Sequence, residues 1–490
     1  MNTYIGIDLG TSSAKFLLVA EDGAILAQNT QSYAVIYPQS GWSEQDPQEW
    51  FAAAMRGLEQ LLAGQDKSAV RGISFGGQMH GLVALDESGA VIRPCILWND
   101  GRTEQQTAYL NRIIGKETLS ACTGNIAFAG FTAPKILWMK QREPENFKRI
   151  AKIMLPKDYL AYRLSGAFCT DYSDASGTLL LDVKNRRWSQ KMCDVCEISE
   201  QMLPALHESF APVGTLRAEI AAALGLSPAV LVCAGAGDNA AAAVGTGVVG
   251  EGGCNISLGT SGTLFVSSRG YREDKVNALH SFCHADGGWH LLGCILSAAG
   301  CNVWWTEKVL QTENFDGEQA GLDAFLGKNE VYFLPYMMGE RSPHNDVNAR
   351  SAFIGMRPDT ARGQMTLAVL EGVTFALRDC LEAAKMNGVA PPRTMLCGGG
   401  AKSALWRRLV ADILHLPVDL PQTEEGPAFG AAMLAMVGCG AYKSVAEAAA
   451  AIVRVRETVE PDPAAARLYD DRYETFRTFY PALRSAFARM

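Results

Sequence analysis

Residues 5–15 read IGIDLGTSSAK, and residues 254–264 read CNISLGTSGTL. In both stretches an apolar strand pattern leads into Leu-Gly-Thr-Ser, and a second run of β-forming residues follows. Thr11 and Thr260 are separated by about half of the 490 residues. A four-residue match arises easily by chance, but its return at this spacing in the same strand–turn–strand context indicates an internal duplication. We therefore expect two lobes, each with one such hairpin.

The two turns have the chemistry of a phosphate clamp. Glycine leaves room for a phosphate to approach the backbone, and unblocked backbone N–H groups attract anions. A single turn of this kind is better interpreted as a polar hairpin. Two turns at matching positions predict a polyphosphate held from both sides. The hydroxyl groups available to it are those of Thr11, Ser12, Ser13, Thr260 and Ser261.

The order of apolar patterns predicts an α/β protein. Short antiparallel strands are followed by strands that alternate with helices, which is typical of mixed sheets flanked by helices. Asp46 followed by proline predicts the start of a helix. No Pro-rich or Ser-rich linker separates the halves, and a run of glycines over residues 245–253 marks the boundary. We expect lobes at 1–248 and 249–490, the second with a C-terminal helical tail, and a cleft between them.

Composition excludes several classes of protein. Hydrophobic residues make up 48% of the chain and charged residues 20%, so buried cores are expected and extensive disorder is not. The formal net charge of -8 argues against a nucleic acid or an anionic membrane as the main partner. No apolar run reaches the roughly 18 residues of a membrane span, and no basic leader precedes the first strand. These features predict a soluble, cytoplasmic protein, and the 13 cysteines are expected to be buried thiols.

Residues 229–240 read AVLVCAGAGDNA, which resembles a dinucleotide-binding fingerprint. Asp238 argues against that interpretation, because it would face the pyrophosphate, and no ribose-binding acid follows about 20 residues later. We instead expect Asp238 to project from a strand end into the cleft, where the helix N-terminus would keep its carboxylate ionised. Such a carboxylate could accept the proton of a substrate hydroxyl. An ordinary helix-capping aspartate is the alternative.

Two further strand ends carry candidate nucleotide contacts. Residues 394–401 read TMLCGGGA, and the bare backbone at Gly399 and Gly400 would allow a flat adenine to lie over it. Tight helix–sheet packing is the alternative explanation for these glycines. Asp8 ends the first strand beside the first hairpin, a position that suits Mg²⁺ bound through water, or a simple turn cap.

The acceptor pocket is expected in the first half. Residues 76–81 read GGQMHG after a strand and offer amide, imidazole and backbone groups to a polyol. Residues 98–100 read WND and would add an aromatic wall beside polar groups. A single His or Trp is more often structural, but two such strand-end clusters close in sequence favour a binding site.

Together these segments resemble the FGGY family of sugar kinases, within the actin/hexokinase/Hsp70 ATPase superfamily, over essentially the whole chain. GFTAPKILW at 130–138 and FIGMRPDTARGQMTLAVLEG at 353–372 resemble the two family signatures. Among the subfamilies, the xylulokinases are the most similar in their motifs. Those motifs are WSEQDP at 42–47, GQMHG at 77–81, LWNDGR at 97–102, LPKDYL at 155–160 and GERSPHN at 339–345.

The resemblance implies two ribonuclease H-like domains with a catalytic base at Asp238. It also implies ATP and Mg²⁺ as cofactors, with Asp8 holding the metal through water. Val303 departs from relatives that place Gln or Asp there, beside the adenine. The implied sugar contacts are Met79, His80, Trp98, Asp238 and Asn239. The implied ATP contacts are Gly10, Thr11, Ser12, Ser13 and Lys15, then Gly259, Thr260, Ser261 and Gly262, and finally Gly399, Gly400, Ala401 and Ala404.

The expected reaction is ATP-dependent phosphorylation of D-xylulose at its terminal hydroxyl, with closure of the lobes on sugar binding. Glycerol is a poor candidate, because glycerol kinases carry Arg-Glu where this chain has Met79 and His80. A kinase of D-ribulose, a deoxy-ketose or gluconate is the nearer rival, and an ATPase acting on protein partners is the more distant one. The tail residues Leu468, Tyr473, Phe476 and Phe479 either pack onto a lobe or form the contact of a homodimer.

Overall fold

The computed structural model describes residues 1–276 and 278–490, and it contains two seven-stranded mixed sheets, one in each half of the chain. The strands of the first half are β1 Thr3–Leu9, β2 Ser13–Ala20, β3 Ile25–Ser32, β4 Glu44–Gln45, β5 Val70–Gly77, β6 Val83–Leu85, β7 Cys95–Ile96, β8 Lys152–Met154, β9 Cys169–Asp171, β10 Leu181–Asp182, β11 Arg187–Trp188, β12 Ala205–His207, β13 Pro212–Thr215, β14 Leu231–Cys233 and β15 Ala236–Gly237. Its helices are α1 Pro47–Leu61, α2 Glu104–Tyr109, α3 Lys116–Thr123, α4 Thr132–Arg142, α5 Pro144–Lys148, α6 Pro156–Ser165, α7 Tyr172–Ala175, α8 Gln190–Cys196, α9 Ala218–Leu224 and α10 Asp238–Gly245.

The second half continues in the same α/β style. Its strands are β16 Cys254–Leu258, β17 Gly262–Ser268, β18 His280–Cys283, β19 Trp289–Ile295, β20 Tyr332–Leu334, β21 Ala352–Ile354, β22 Thr394–Cys397, β23 Val418–Pro421 and β24 Val455–Val459. Its helices are α11 Ala299–Val303, α12 Phe315–Gln319, α13 Arg362–Met386, α14 Ala404–Leu414, α15 Gly426–Gly438, α16 Val445–Ile452 and α17 Pro463–Phe487.

The two sheets share one strand pattern around their hairpins. The first sheet contains the order β14-β5-β1-β2-β3, and the second contains β23-β22-β16-β17-β19. In each sheet the hairpin is an antiparallel pair, and its second strand pairs antiparallel with one further strand. The first strand of the hairpin starts a run of two parallel pairings on its other edge. The matching order and direction are what an internal duplication would produce.

Local signals explain where the elements begin. Helix α1 starts at Pro47 because Asp46 caps it, its Oδ1 accepting the N–H of Gln48 at 2.9 Å. All residues of β1 except Asp8 are buried, as expected of a central strand in a sheet that is covered on both faces. Helices α1 and α6 share one apolar cluster with this strand.

Helix α15 belongs by sequence to the second half but packs on the first sheet. Its residues Ala428, Phe429 and Ala432 share an apolar cluster with Tyr4 and Leu17. Helix α15 also packs against α10, the helix that starts at Asp238. The chain therefore crosses between the lobes again after β23, a connection for which the sequence pattern carried no signal.

The C-terminal tail packs on its own lobe. Helix α17 buries Tyr469, Tyr473 and Phe476 against Phe375 of α13, whereas Leu468 is exposed. Tyr473 and Phe476 thus pack onto a lobe, which was one of the two alternatives for the tail, and homodimer formation stays a prediction.

Hydrogen bonds also join the two lobes directly. The side chain of Asn125 accepts the N–H of Ser281 at 3.1 Å and donates to its carbonyl oxygen at 2.9 Å. The Cys283 N–H donates to the Ser176 hydroxyl at 3.0 Å. Among the described residues, no helix is at once long and apolar enough to cross a membrane, and all 13 cysteines are free thiols.

Candidate active site

Parallel strands bring the predicted site residues to one edge of the first sheet. Asp8 of β1 is opposite Gly76 of β5, and Gly77 of β5 is opposite Gly237 of β15. Because the carboxyl ends of parallel strands meet at the same edge, the first hairpin, the GGQMHG segment and the turn before Asp238 leave the sheet side by side. The same rule brings together the segments that follow β16, β22 and β23 in the second sheet.

Asp238 is the first residue of α10, directly after β15. The chain reaches it through Gly235, whose φ of +78° and contact with the Phe75 backbone leave no space for a side chain. The Asp238 Oδ1 accepts the backbone and side-chain N–H groups of Asn239 at 2.7 and 2.9 Å. Burial raises the pKa of the Asp238 carboxyl to about 6, although these two bonds oppose the shift. The group is thus ionised at neutral pH and has a pKa suited to accepting a proton.

Asp8 shares this acidic environment. Burial and the neighbouring Asp238 raise the pKa of the Asp8 carboxyl to about 7, with Glu425 adding to the shift and Lys15 opposing it. Lys15 forms an ion pair with Glu425, which precedes α15. A buried carboxylate whose pKa is raised by a second carboxylate favours a cation near the two groups.

His80 has a fixed orientation at the end of the GGQMHG segment. Its backbone is in the left-handed region with φ of 70°, and its ring packs on Phe131 with centroids 4.7 Å apart. Nδ1 lies 2.7 Å from the carbonyl oxygen of Gly177, which only accepts, so Nδ1 carries the proton. Burial, together with Lys135, lowers the pKa of His80 to about 3. The neutral ring therefore keeps Nε2 as an acceptor for a hydroxyl group.

Met79 and Trp98 occupy different positions. Met79 is buried, and its side chain packs against Gly237, so it joins the GGQMHG segment to the turn before Asp238. Trp98 is 42% exposed, and its indole N–H donates to the Thr11 hydroxyl at 2.9 Å. The structure thus connects Trp98 directly to the first hairpin, and its contact with the sugar stays a prediction.

The two hairpins keep their tips open. The Gly10 N–H closes the first hairpin onto the Ser13 carbonyl oxygen at 3.0 Å, and the Ser12 side chain is exposed. In the second hairpin Thr260 and Ser261 are exposed. The N–H groups that open helix α11 hold this second hairpin through the carbonyl oxygens of Gly259 and Thr260, while Gly262 is buried at the start of β17.

The third glycine turn contains one open and one closed position. Gly399 has no other atom within 4 Å of the place where a side chain would begin, whereas Gly400 packs against Leu258 and Trp406. Tight packing therefore accounts for Gly400, whereas the adenine contact at Gly399 stays a prediction. Ala401 follows in the same turn, and the exposed Ala404 starts α14.

A cavity of 290 Å³ lies between α10 and the second sheet. It joins Asp238 and Asn239 to Gly398 of the third glycine turn. Met79, His80, Trp98 and the first hairpin do not line it. Six polar lining residues had not been singled out from the sequence: Thr246, Asn255, Ser257, Thr263, Thr423 and Glu424.

The alternation of residues along a strand could have indicated some of these residues. Asn255 and Ser257 interrupt the apolar strand β16 at alternate positions, so they face the same side of the sheet. Thr423 and Glu424 closely follow β23, as Asp8 nearly ends β1. Polar residues at the carboxyl end of a parallel strand are thus the shared mark of this cleft.

Comparison with known proteins identifies relatives along almost the whole chain. The model of the FGGY family of carbohydrate kinases, N-terminal domain, matches residues 3–245, and that of the C-terminal domain matches residues 254–439. A xylulose kinase of Escherichia coli (strain K12) is 41% identical over 483 residues, which cover 98% of this chain and 99% of that protein. A xylulose kinase of Bacillus subtilis (strain 168) is 37% identical over 484 residues, covering 98% of this chain and 97% of that protein.

Solved structures agree with this relationship. The crystal structure of a "xyloylose kinase" from Brucella ovis matches with a TM-score of 0.95 and 40% identity, covering 99% of this chain and 100% of that one. The predicted fold class, two ribonuclease H-like domains with mixed sheets flanked by helices, is confirmed.

Proposed function

Because this chain belongs to the FGGY family of carbohydrate kinases, we propose that it transfers the γ-phosphoryl group of ATP to the terminal hydroxyl of D-xylulose. The predicted enzyme class, an ATP-dependent sugar kinase, is confirmed by this membership. The acceptor rests on the curated xylulose kinases, which are similar to this chain over nearly its full length. The observation that carries the mechanism is the Asp238 carboxyl. It lies between the GGQMHG segment and the cavity, and burial raises its pKa to about 6.

In the proposed mechanism Asp238 orients the attacking hydroxyl. The hydroxyl oxygen forms a bond to the γ-phosphorus, the bond from that phosphorus to the bridging oxygen of ADP breaks, and the hydroxyl proton passes to Asp238. Since phosphoryl transfer proceeds through a loose transition state, positioning and charge neutralisation dominate over base strength. The Asn239 N–H groups fix one carboxylate oxygen, which leaves the other for the sugar.

The remaining sequence-predicted residues have proposed roles on either side of the transfer. We place the sugar against Met79, His80 and Trp98, with the neutral His80 ring accepting from a hydroxyl. The two hairpins, with Lys15, would hold the phosphates through backbone N–H groups. The open backbone at Gly399, with Ala401 and Ala404, would receive the adenosine.

We propose 1–248 and 249–490 as the lobes that close on the sugar and exclude water. Helix α15 lies within residues 249–490, but we assign it to the first lobe because it packs on the first sheet. Homodimer formation and a cytoplasmic location stay predictions of the sequence.

Mg²⁺ fits the oxygen-rich environment of Asp8. Among residues 1–276 and 278–490, no three acidic, His or Cys side chains converge to hold a metal directly. We propose that Asp8 would hold the ion through water, with Asp238 and Glu425 adding negative charge. When bound, Mg²⁺ would neutralise charge on the transferring phosphates.

An acceptor panel tests the proposed substrate. The purified protein is assayed for ADP formation with D-xylulose, D-ribulose, a deoxy-ketose, gluconate and glycerol. We expect kcat/KM for D-xylulose to exceed every other acceptor by at least about tenfold. A larger value for another acceptor would overturn the assignment, and sugar-independent ATP turnover stimulated by a protein would favour the ATPase alternative.

Replacing His80 by asparagine is expected to raise KM for D-xylulose about tenfold, equivalent to about 1.4 kcal/mol. Asparagine tolerates the left-handed backbone, and its amide can still donate to Gly177, but it lacks the Nε2 acceptor. KM for ATP is expected to stay within about twofold. Steady-state kinetics with each substrate varied in turn measure both. Equal increases in the two KM values would contradict a sugar-specific role.

Replacing Asp8 by asparagine is expected to lower kcat at least about a hundredfold and to stabilise the substrate-free protein. Because burial raises the pKa of this carboxyl from 3.8 to about 7, its cost to stability grows as the pH rises between those two values, so the gain in Tm should be a few degrees at pH 8 and clearly smaller at pH 5. Thermal scans at both pH values measure this effect. The exposed Asp359→Asn variant is the control, with both quantities unchanged. A lower Tm for Asp8→Asn at pH 8 would show that this carboxylate stabilises the fold.

A further inference from the structure

A cluster of charged side chains lies entirely below the surface, beside the turn that leads to Asp238. It consists of Lys157 and Asp158 of the LPKDYL motif, Asp171 at the end of β9 and Asp174 in α7. Their side chains are at most 1% exposed. Burying a charged side chain destabilises the fold unless the charge is paired or hydrogen-bonded, so each of these groups needs a partner.

Lys157 is paired within this cluster. Its Nζ donates to Asp158 Oδ1 at 2.6 Å and lies 2.9 Å from Asp171 Oδ1. Burial alone would lower the pKa of Lys157, but the three carboxylates raise it well above its usual value. The lysine is therefore a fixed positive charge. Burial and the neighbouring carboxylates raise the pKa of Asp174 well above its usual value, and Lys157 opposes this shift.

A chain of hydrogen bonds connects this charge to the catalytic turn. Asp171 Oδ2 accepts the Ser173 hydroxyl at 2.5 Å and the Ser173 N–H at 2.8 Å. Because the only hydroxyl proton of Ser173 is used in that bond, its oxygen is left as an acceptor. It accepts the N–H of Gly237, the residue before Asp238, at 3.1 Å.

The cluster also holds the other end of the same turn. Lys157 Nζ donates to the carbonyl oxygen of Ala234 at 3.4 Å. Ala234 and Gly237 flank the left-handed residue Gly235, so one buried cluster fixes the backbone on both sides of the turn. Neither Lys157 nor Ser173 lines the cavity beside Asp238.

We propose that Ser173 is a positioning residue that, held by Asp171 and Lys157, fixes the Gly237 backbone and thereby the direction of the Asp238 carboxylate. This inference rests on the proposed role of Asp238 as the group that orients the sugar hydroxyl. Loss of the Ser173 hydroxyl leaves the Gly237 N–H unpaired and allows the turn to shift. A small displacement of an orienting group is enough to slow a transfer that depends on alignment.

The chain offers a matched control in Ser209. Its hydroxyl is also buried and donates to the same atom, Asp171 Oδ2, at 2.7 Å, but it is not bonded to Gly237. Ser173→Ala and Ser209→Ala therefore remove the same group from the same acceptor, and only the first breaks the connection to the turn. Ser173→Cys gives a second variant, with a weaker donor and acceptor of similar size.

The expected result is a loss of kcat confined to position 173. Per folded molecule, Ser173→Ala should lower kcat about tenfold, Ser173→Cys by less, and Ser209→Ala by less than about twofold. KM for ATP, and the affinity for ATP measured without sugar, should not change in any of them. Thermal scans on the same samples separate these effects from loss of stability.

Two outcomes would overturn the inference. One is an equal loss of kcat in Ser173→Ala and Ser209→Ala, and the other is a lower Tm for Ser173→Ala with normal kcat. The parallel Asp238→Asn variant distinguishes this failure from that of the proposed function. If Asp238→Asn is inactive while Ser173→Ala and Ser209→Ala have the same kcat, the positioning role of Ser173 is wrong and the role of Asp238 still holds. If Asp238→Asn turns over normally, the role of Asp238 itself is wrong.

Discussion

Replacing Asp238 by asparagine is expected to lower kcat for D-xylulose by about a thousandfold or more. Asparagine keeps the size of the side chain and an oxygen that can accept the Asn239 N–H groups, but it cannot take the hydroxyl proton. Acid–base groups contribute about 10²- to 10⁴-fold, and loss of the negative charge also weakens orientation of the sugar. Coupled detection of ADP at saturating sugar and ATP measures the effect.

Nucleotide binding and pH dependence act as internal controls for this variant. ATP affinity, measured by calorimetry without sugar, should change by less than about threefold, because the phosphates contact backbone N–H groups in the proposed complex. In the unaltered protein, kcat/KM should fall as the pH drops below about 6, where Asp238 becomes protonated. Turnover near that of the unaltered protein in Asp238→Asn would remove Asp238 from the mechanism.

Replacing Gly430 by alanine is expected to have the largest effect on stability. The added Cβ would lie 1.9 Å from the carbonyl oxygen of Ala241 and 2.8 Å from the N–H nitrogen of Gly245, both in the backbone of α10. Backbone atoms inside a helix cannot move aside as a flexible side chain can. Overpacking usually costs about 1–3 kcal/mol, and we expect the upper end of that range or more. Denaturant unfolding measures the change in the free energy of unfolding.

The matched control for Gly430 is Gly270→Ala. Gly270 has no neighbouring atom within 4 Å of the place where a side chain would begin and no left-handed φ, so its replacement should change stability by less than about 0.5 kcal/mol. Because α10 starts at Asp238, Gly430→Ala should also lower kcat in whatever protein remains folded. Equal stability of the two variants would show that α10 and α15 separate easily.

Much of the fold could be predicted from local sequence. The hairpins at Thr11 and Thr260 are marked by a repeated pattern, and strand order then follows from the rules for parallel and antiparallel connections. The placement of Asp8, the GGQMHG segment and Asp238 at one edge needed only the direction of the strands. Asp46 likewise marked the start of α1, since capping depends on neighbouring residues.

The remainder depends on contacts between residues far apart in the chain. The uniformly apolar helix α15 carries no periodicity that indicates which sheet it covers. The pKa of Asp238 depends on burial by several segments. Ser173 and Lys157 carry no signal of their role in the sequence, because their link to Gly237 exists only after β9, α6 and β15 have come together.

The crossing of α15 has a consequence for how the protein can be made. A fragment ending near residue 248 would contain every strand of the first sheet but not the helix that covers the apolar side chains of Tyr4 and Leu17. During synthesis, the apolar face of the first sheet that α15 covers therefore stays exposed until residue 438 has left the ribosome. We therefore expect a fragment that ends near residue 248 to expose this apolar face and to be less stable than the whole chain.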